Sequence, residues 1–316
     1  LALSCLTMGL GGGTWGLLVG ALVMAACSSA APRPPLEDNA RRVTPVPACV
    51  APVQGRAPGG ARRALREPEL WKLVFPQFDP TTFRVPADAQ ACNGQVGVRE
   101  ALGQGPSEGG WVQVPQGSLV HGGGADRLKI VWLPLADANA DRAQGALALV
   151  RSFDDTAELY AVGVHEGRRT TTSFALERLG SELLVVAHDD GCKGHAEGAC
   201  ATSARVYADR QGRLREVAHF DLQRVALGRN TEPGLGGSFV YRLTATPTFG
   251  PDGIRLLEQV NVRDAMGREV RSAELERRYT PGPRGTLLPS DDPLWQRVYA
   301  GPTPPPPPAA KTAQGR

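Results

Sequence analysis

The central part of the sequence is a succession of short apolar runs separated by turn residues, and this pattern restricts the fold more than any other feature. Many of the runs alternate apolar with polar residues and are rich in β-branched or aromatic side chains, which is typical of strands with one buried face. The predicted strands cover residues 70–75, 111–114, 128–135, 146–151, 159–165, 171–176, 183–187, 204–208, 214–227, 239–246, 256–263 and 270–279. No helical pattern of useful length lies between them, so neighbouring strands are expected to be antiparallel.

Turn chemistry supports hairpins between these runs. Residues 209–212 (Asp-Arg-Gln-Gly) and 264–267 (Asp-Ala-Met-Gly) each place a polar residue and a glycine between two predicted strands. A meander of about a dozen strands must hide its edges, so we expect an all-β fold, an antiparallel meander that closes as a β-sandwich or a barrel. A β-propeller is the alternative, although the sequence has only faint echoes of a repeat of about 40 to 45 residues.

The N-terminal segment indicates the compartment. Residues 1–26 carry no charge, and residues 15–24 form an apolar core of signal-peptide length, shorter than a membrane-spanning helix requires. The small residues Ala25 and Ala26 directly precede Cys27. In these processing residues the chain resembles bacterial lipoprotein precursors, whose lipobox ends at the cysteine that is acylated.

The resemblance implies a lipid-anchored protein of the bacterial cell envelope. Residues 1–26 would be a signal peptide, and Cys27 would become the acylated first residue of the mature chain. Ser28 is not the Asp that holds many lipoproteins at the inner membrane, so we expect an outer-membrane lipoprotein that faces either the periplasm or the outside. Ordinary signal cleavage and an uncleaved membrane anchor remain alternatives, and all three would export the domain.

Composition divides the remainder of the chain into four parts. Residues 27–66 hold seven prolines and seven arginines against two acidic residues, which predicts a flexible Pro/Arg-rich tether with a net charge of +5. Residues 67–289 form the β-rich globular domain, residues 290–301 a short C-terminal helix capped by Ser290, and residues 302–316 a Pro-rich disordered tail.

The distribution of charge along the chain indicates which partners to expect. The globular domain carries 25 basic and 28 acidic residues, a net charge of −3, so we expect no nucleic-acid partner. The basic excess lies in the tether, where it either contacts anionic lipid head groups or belongs to a solvated linker. The expected partner is therefore the membrane, reached through the lipid anchor.

Four cysteines remain once the signal peptide and the acylated cysteine are set aside. An even number of cysteines in an exported chain predicts two disulfides. Of the three possible pairings, proximity favours Cys192 with Cys200 and Cys49 with Cys92.

The loop at residues 189–200 also suggests a competing metal hypothesis. A zinc ion could be held by Cys192, His195 and Cys200 together with Asp190 or Glu197. However, paired zinc thiolates usually stand two to four residues apart, and an oxidising compartment favours the disulfide. These two cysteines are separated by seven residues, so no metal site is predicted.

No catalytic constellation stands out in the sequence. Residues 121–124 (His-Gly-Gly-Gly) resemble the oxyanion loop of lipases and esterases, but no G-x-S-x-G nucleophile motif occurs anywhere in the chain. Residues 11–16 spell a dinucleotide-binding fingerprint inside the predicted signal peptide, where no strand precedes it. Residues 137–141 have the oxygen spacing that opens a calcium loop, but they lack the glycine and the glutamate that complete one. No catalytic residue and no cofactor is therefore predicted.

Three functions remain open from the sequence. The first is a lipid-anchored binding or structural module, with another envelope protein as its partner. The second is a hydrolase or metal-dependent enzyme with a site assembled from distant strands, which a cleft joining His121, His188 and an acidic residue would indicate. The third is a carrier of a small apolar ligand inside a barrel.

Overall fold

The structure, a computed structural model, describes residues 46–52, 65–103, 110–117, 120–122, 128–138, 141–153, 156–193, 199–229 and 238–299. Only the backbone is described for residues 120–122. All of these residues belong to one compact unit, Pro45–Arg316. The predicted signal peptide, Cys27, most of the tether and the Pro-rich tail lie outside the described residues.

The described chain is mostly β, which confirms the predicted all-β class. The strands are β1 (Cys49–Pro52), β2 (Arg84–Pro86), β3 (Trp111–Gln113), β4 (Val120–Gly122), β5 (Leu128–Asp137), β6 (Arg142–Ser152), β7 (Thr156–Arg168), β8 (Thr172–Leu179), β9 (Glu182–Asp190), β10 (Cys200–Arg210), β11 (Arg213–Arg229), β12 (Ser238–Gly250), β13 (Gly253–Arg263), β14 (Glu269–Pro281) and β15 (Leu287–Pro289). The helices are α1 (Glu67–Val74), α2 (Val98–Ala101) and α3 (Leu294–Val298), with one 3-10 turn at Pro283–Gly285.

Thirteen of the described strands form one sheet, and β2 and β3 form a separate pair. The main path runs β15-β14-β13-β12-β11-β7-β6-β5-β4, with β1 on β7 and with β10, β9 and β8 branching from β11. The long strand β11 makes this branching possible, because it pairs with β10 over Arg213–Val225 and with β12 over Gln223–Arg229. The sheet is therefore organised around β11.

The predicted closure into a barrel is wrong. The two ends of the sheet, β15 and β4, do not pair with each other, and the sheet branches at β11 instead of closing. The propeller alternative also does not describe the fold, since these strands share one sheet and a propeller consists of separate blades.

The expectation of antiparallel neighbours holds for all pairings described in this sheet except one. At Arg213 and Leu214, β11 pairs in parallel with Val162 and Gly163 of β7. A Cβ atom at Gly163 would lie 2.4 Å from the Leu214 carbonyl oxygen, so the close approach of the two backbones depends on this glycine.

Both predicted hairpins form. Gln211 and Gly212 have positive φ angles of 59° and 84° in the turn between β10 and β11, which the right-handed twist of a two-residue hairpin loop requires. Gly267, with a φ of 77°, lies in the turn between β13 and β14.

The predicted strand at 70–75 is wrong, because residues 70–74 belong to helix α1 and Phe75 is its C-cap. Pro68 lies in the first turn, and the Glu69 carboxylate accepts a hydrogen bond of 2.7 Å from the backbone N–H of Arg66, which is the N3 half of a capping box. Leu70, Trp71, Leu73 and Val74 then share one buried helix face. A short apolar run does not distinguish a strand from a buried helix by periodicity alone.

Four clusters of buried side chains hold the sheet together. One face of β5–β7 packs under α1 and α2, as Trp71 and Leu133 illustrate. The opposite face of β5–β7 meets β8–β10 through Trp132, Phe174 and Val185, among others. The other face of β9 and β10 packs with β11, β13 and β14. Strands β5–β7 and β9–β10 are therefore buried on both faces, which explains their nearly continuous apolar sequences.

Helix α3 closes the fourth cluster, which contains side chains of β12 and β13. The helix begins at Leu294 after the N-cap residue Pro293, whose side chain makes no capping hydrogen bond, so the predicted cap at Ser290 is wrong. The Ser290 hydroxyl instead accepts a hydrogen bond from the backbone N–H of Arg278 and donates one to Asp291.

Candidate functional site

A polar groove lies on one face of the hairpins formed by β12, β13 and β14, and we call it the β12–β14 groove. Its volume is about 550 Å³, which is in the range of ligand sites. It is lined by Val240, Arg242, Thr244, Gln259, Val260, Asn261, Arg263, Glu269, Ser272, Ala273 and Glu274. Three of these eleven residues are apolar, so the groove is suited to a polar ligand rather than to the apolar one of the carrier hypothesis.

Strand register brings the polar side chains together. Arg242 lies opposite Asn261 on the neighbouring strand, and Asn261 lies opposite Ser272 on the next. Side chains alternate between the two faces of a strand, so the intervening residues, such as Tyr241 and Val262, face the fourth cluster under α3. The groove is thus the outer face of a sheet whose inner face is packed.

A buried ion pair fixes the packed side of this sheet. The Arg277 guanidinium of β14 donates a hydrogen bond of 2.6 Å to Glu258 Oε1 of β13. The other oxygen, Glu258 Oε2, accepts a hydrogen bond of 2.7 Å from the backbone N–H of Leu294 at the start of α3. Glu258 therefore joins two strands and the helix behind the groove.

The two carboxylates of the groove are held by neutral neighbours. Gln259 Nε2 donates to Glu274 Oε2 at 2.8 Å, and Asn261 Nδ2 donates to Glu269 Oε2 at 2.7 Å. The hydrogen bonds from Asn261 and Ser272, together with the positive charge of Arg263, hold the pKa of Glu269 below its usual value. The strand pairing therefore orients both acidic side chains.

Two guanidinium groups and one amide oxygen of the groove have no hydrogen-bond partner among the described residues. The structure gives Arg242 and Arg263, both exposed, no hydrogen bond or ion pair with another described residue. Asn261 Oδ1 is buried from solvent and has no hydrogen-bond partner within the described chain. Buried polar atoms in proteins are nearly always hydrogen-bonded, so an orphaned acceptor on Asn261, which lies opposite Arg242 and two residues before Arg263, points to a missing partner.

The histidines do not meet in one cleft among the described side chains. His165 is buried between β7 and β10, where its Nδ1 lies 2.9 Å from the Tyr207 hydroxyl and its ring contacts Trp132 and Phe174 edge-on. Burial, with a contribution from nearby arginines, lowers the pKa of His165 to about 3, so the ring is neutral at ordinary pH. Burial also lowers the pKa of His188 on β9.

The cleft that would indicate an enzyme is therefore not seen in the described part of the chain. The side chain of His121 lies outside the described residues, and no histidine lines the groove. His165 instead packs as a core residue.

The sulfurs of Cys49 and Cys92, and those of Cys192 and Cys200, lie at bonding distance, 2.12 and 2.16 Å, in the pairing that the sequence predicted. The first disulfide joins β1 to the loop between β2 and α2, and the second closes the loop between β9 and β10. Two disulfides are compatible with an extracytoplasmic location.

Asp190, one of the two acidic residues considered for metal binding, has other partners. Asp190 Oδ1 accepts hydrogen bonds from the backbone N–H groups of Cys192 and Lys193 and from the Thr202 hydroxyl. His195 and Glu197 lie outside the described residues. No group of three or more histidine, cysteine, aspartate or glutamate side chains is placed to hold a metal in the part of the chain that the structure describes.

The oxygen-rich segment at 137–141 contributes to an arginine network. Asp137 pairs with Arg169 at 2.6 Å, and Asp141 pairs with Arg168 at 2.8 Å. Arg168 also contacts the buried Asp189 at 3.2 Å. These carboxylates link the ends of neighbouring strands, and Asn139 lies outside the described residues.

The sequence analysis missed the β12–β14 groove, although a signal was present. Polar residues at 242 and 244, at 259, 261 and 263, and at 272 and 274 alternate with buried ones along three consecutive strands. This period of two predicts one polar face on each strand, but only the pairing register shows that the three polar faces form one surface.

Comparison with known proteins gives no relative. No family model, no curated protein and no solved structure matches the chain. Among the described residues, no helix has the length and apolar character to cross a membrane.

Proposed function

We propose that the chain is a lipid-anchored protein of the bacterial cell envelope that binds a polar ligand through the β12–β14 groove. The observation that carries the binding function is the combination of a groove of about 550 Å³ with two uncommitted guanidinium groups and an orphaned amide oxygen. No comparable arrangement of catalytic side chains among the described residues supports the enzyme alternative.

The anchor is proposed from the sequence. Cys27 follows two small residues and an uncharged apolar segment, and the two disulfides farther along the chain are compatible with an oxidising compartment. Lipid attachment at Cys27, with Ser28 as the next residue, supports an outer-membrane location. Mass spectrometry of the purified N-terminus tests this: an acylated Cys27 is expected, and an unmodified Cys27 that retains upstream residues would contradict the anchor.

We also infer that the domain is a β-sandwich in its central part. The second core cluster supports this arrangement, because side chains of β5–β7 and of β8–β10 contribute to the same buried set. Such packing leaves the β12–β14 hairpins free to present their outer face to a ligand.

Photo-crosslinking in cells tests the groove as a binding surface. A benzophenone amino acid is placed at Thr244, which lines the groove, and in a second variant at Thr248, which is exposed on the same strand and the same face but outside the groove. Both variants are produced with their N-terminal segment in a bacterium that has an outer membrane.

Irradiation is expected to give a discrete adduct from position 244 and none from position 248. The mass of the adduct distinguishes a small ligand from an envelope protein. Equal labelling from both positions, or none from either, would refute the groove as the binding site.

A further inference from the structure

The β12–β14 groove has the donors and acceptors of a site for a sugar acid. We propose that it binds a hydroxyl-rich ligand with a single anionic group, a saccharide that carries a carboxylate or a phosphate. Arg242 and Arg263 contact the anionic group, and Asn261 Oδ1 accepts a hydrogen bond from a neighbouring hydroxyl. This assignment rests on the proposed function of the groove as a binding site.

The position of the two arginines supports one shared anion. Arg242 lies opposite Asn261, and Arg263, two residues beyond Asn261 on β13, lies opposite Val240. The arginines are therefore diagonal neighbours on one face, about 7–8 Å apart, within reach of each other's long side chains. An anion between them relieves the repulsion of two like charges and accepts the paired hydrogen bonds that guanidinium groups offer.

The carboxylates of the groove limit the ligand to a low charge. Glu269 and Glu274 balance the two arginines in formal charge, so the lining has no net charge to attract a polyanion. Each carboxylate accepts a hydrogen bond from a neutral amide, and neither lies within ion-pair distance of Arg242 or Arg263, although the charge of Arg263 acts on Glu269. The guanidinium donors stay available for one anionic group, while the rest of the lining favours uncharged polar atoms.

The orphaned oxygen specifies the second part of the ligand. Asn261 Nδ2 is fixed by its hydrogen bond to Glu269, which leaves Oδ1 as an acceptor without a partner, on a residue that lies opposite Arg242 and lines the same groove. The Thr244 and Ser272 hydroxyls add further polar atoms to the lining. A ligand that carries hydroxyl groups next to its anionic group satisfies this arrangement, whereas a simple inorganic anion does not.

Saturation-transfer NMR with the full lipid-bearing chain in detergent tests the proposal with three matched probes. Methyl glucuronide carries a carboxylate, methyl glucoside is its neutral counterpart, and glucose 6-phosphate carries a phosphate. We expect the glucuronide or the 6-phosphate to bind at least about tenfold more tightly than the glucoside, the factor that a charge-assisted hydrogen bond supplies. The tighter of the two charged probes identifies the anionic group.

Substitutions locate the binding. Arg242→Gln and Arg263→Gln should each weaken binding of the charged probe about tenfold and reduce its dependence on salt. Arg255→Gln is the matched control, since Arg255 is exposed on the same face of β13 but does not line the groove. This control should bind as the wild type does.

Three outcomes would overturn the assignment: equal binding of the glucoside and the charged probes, an equal loss in the Arg255 variant, or no binding of any probe. In each case the crosslink from position 244 still decides separately whether the groove binds a ligand. A groove-specific crosslink without sugar-acid binding would keep the proposed function and reject this ligand.

Discussion

Removal of the Glu258 carboxylate should destabilise the domain more than removal of any exposed charge on the same hairpin. The Glu258 side chain is 2% exposed and that of Arg277 is 4% exposed, so Glu258→Ala leaves a guanidinium group buried without its partner. It also leaves the backbone N–H of Leu294 without an acceptor. Loss of one partner of a buried ion pair costs about 3–5 kcal/mol, and we expect a decrease of this size in the free energy of unfolding.

Part of this cost can be avoided if α3 detaches from the sheet. The helix has five residues, and its detachment would expose Leu294, Trp295 and Val298 to water. Full burial of such side chains contributes about 1.5–3 kcal/mol each, so detachment does not reduce the cost below that of the broken ion pair. The expected loss therefore stays at about 3–5 kcal/mol.

The measurement is urea unfolding followed by circular dichroism and tryptophan fluorescence. Glu276→Ala is the control on the neighbouring strand, since Glu276 forms an ion pair of 2.9 Å with Arg278 in which both side chains are exposed. Exposed ion pairs contribute less than about 1 kcal/mol, so Glu276→Ala should hardly change the free energy of unfolding. Glu258→Gln, which keeps an oxygen acceptor but not the charge, gives a milder variant if the alanine protein does not fold.

A double substitution separates the ion pair from the packing. Replacing Glu258 with Leu and Arg277 with Met together removes both charges and should cost less than Glu258→Ala alone, because no unpaired charge remains buried. If Glu258→Ala and Glu276→Ala cost the same within about 1 kcal/mol, the pair is effectively solvated and the reasoning is refuted.

Two further predictions follow from burial and from the disulfides. Since the pKa of His165 is about 3 in the folded state and 6.5 when exposed, the unfolded chain binds the proton first, and stability should fall by about 2 kcal/mol from pH 8 to pH 5. In His165→Phe the loss of stability between pH 8 and pH 5, measured by urea unfolding at each pH, should be smaller by this amount. The contribution of His188 is the same in both proteins and cancels in the comparison. Identical pH profiles of the two proteins would contradict the assignment. Alkylation under denaturing, non-reducing conditions should leave Cys192 and Cys200 unlabelled, and chelators should not change the melting temperature. Replacing both cysteines with Ser should lower the free energy of unfolding by about 2–3 kcal/mol. If both cysteines are labelled and a chelator lowers the melting temperature, the metal hypothesis is restored.

Local patterns in the sequence determined most of the secondary structure. The alternation along 256–263 and the Asp-Arg-Gln-Gly turn at 209–212 predict a strand and a hairpin because a side-chain period of two and a positive φ angle are properties of a few adjacent residues. The segment at 70–75 shows the limit of this reasoning, because its apolar residues fit a strand as well as a helix. The capping signals of Pro68 and Glu69 were present but were not used.

The cysteine pairing was also accessible from the sequence. If residues 1–26 are removed and Cys27 is acylated, as we propose, four cysteines leave few combinations, and the eight-residue separation of Cys192 and Cys200 favours a local bond. The tertiary structure adds the position of each bond, one at the edge strand β1 and one between β9 and β10.

Only the tertiary structure decided how the strands combine into a site. The period of two places Glu258 on the same side of β13 as Ile254 and Val260, which marks it as an inward-facing charge, but nothing nearby in sequence identifies Arg277 and Leu294 as its partners. Similarly, Arg242 and Asn261 become neighbours through the β12–β13 register, and β11 meets β7 only because Gly163 lets two backbones approach. A hydrophobic pattern specifies which face of each strand is buried, and many pairings of a dozen such strands satisfy it. The choice among these pairings depends on packing between residues far apart in the chain. The β12–β14 groove results from that choice of pairing.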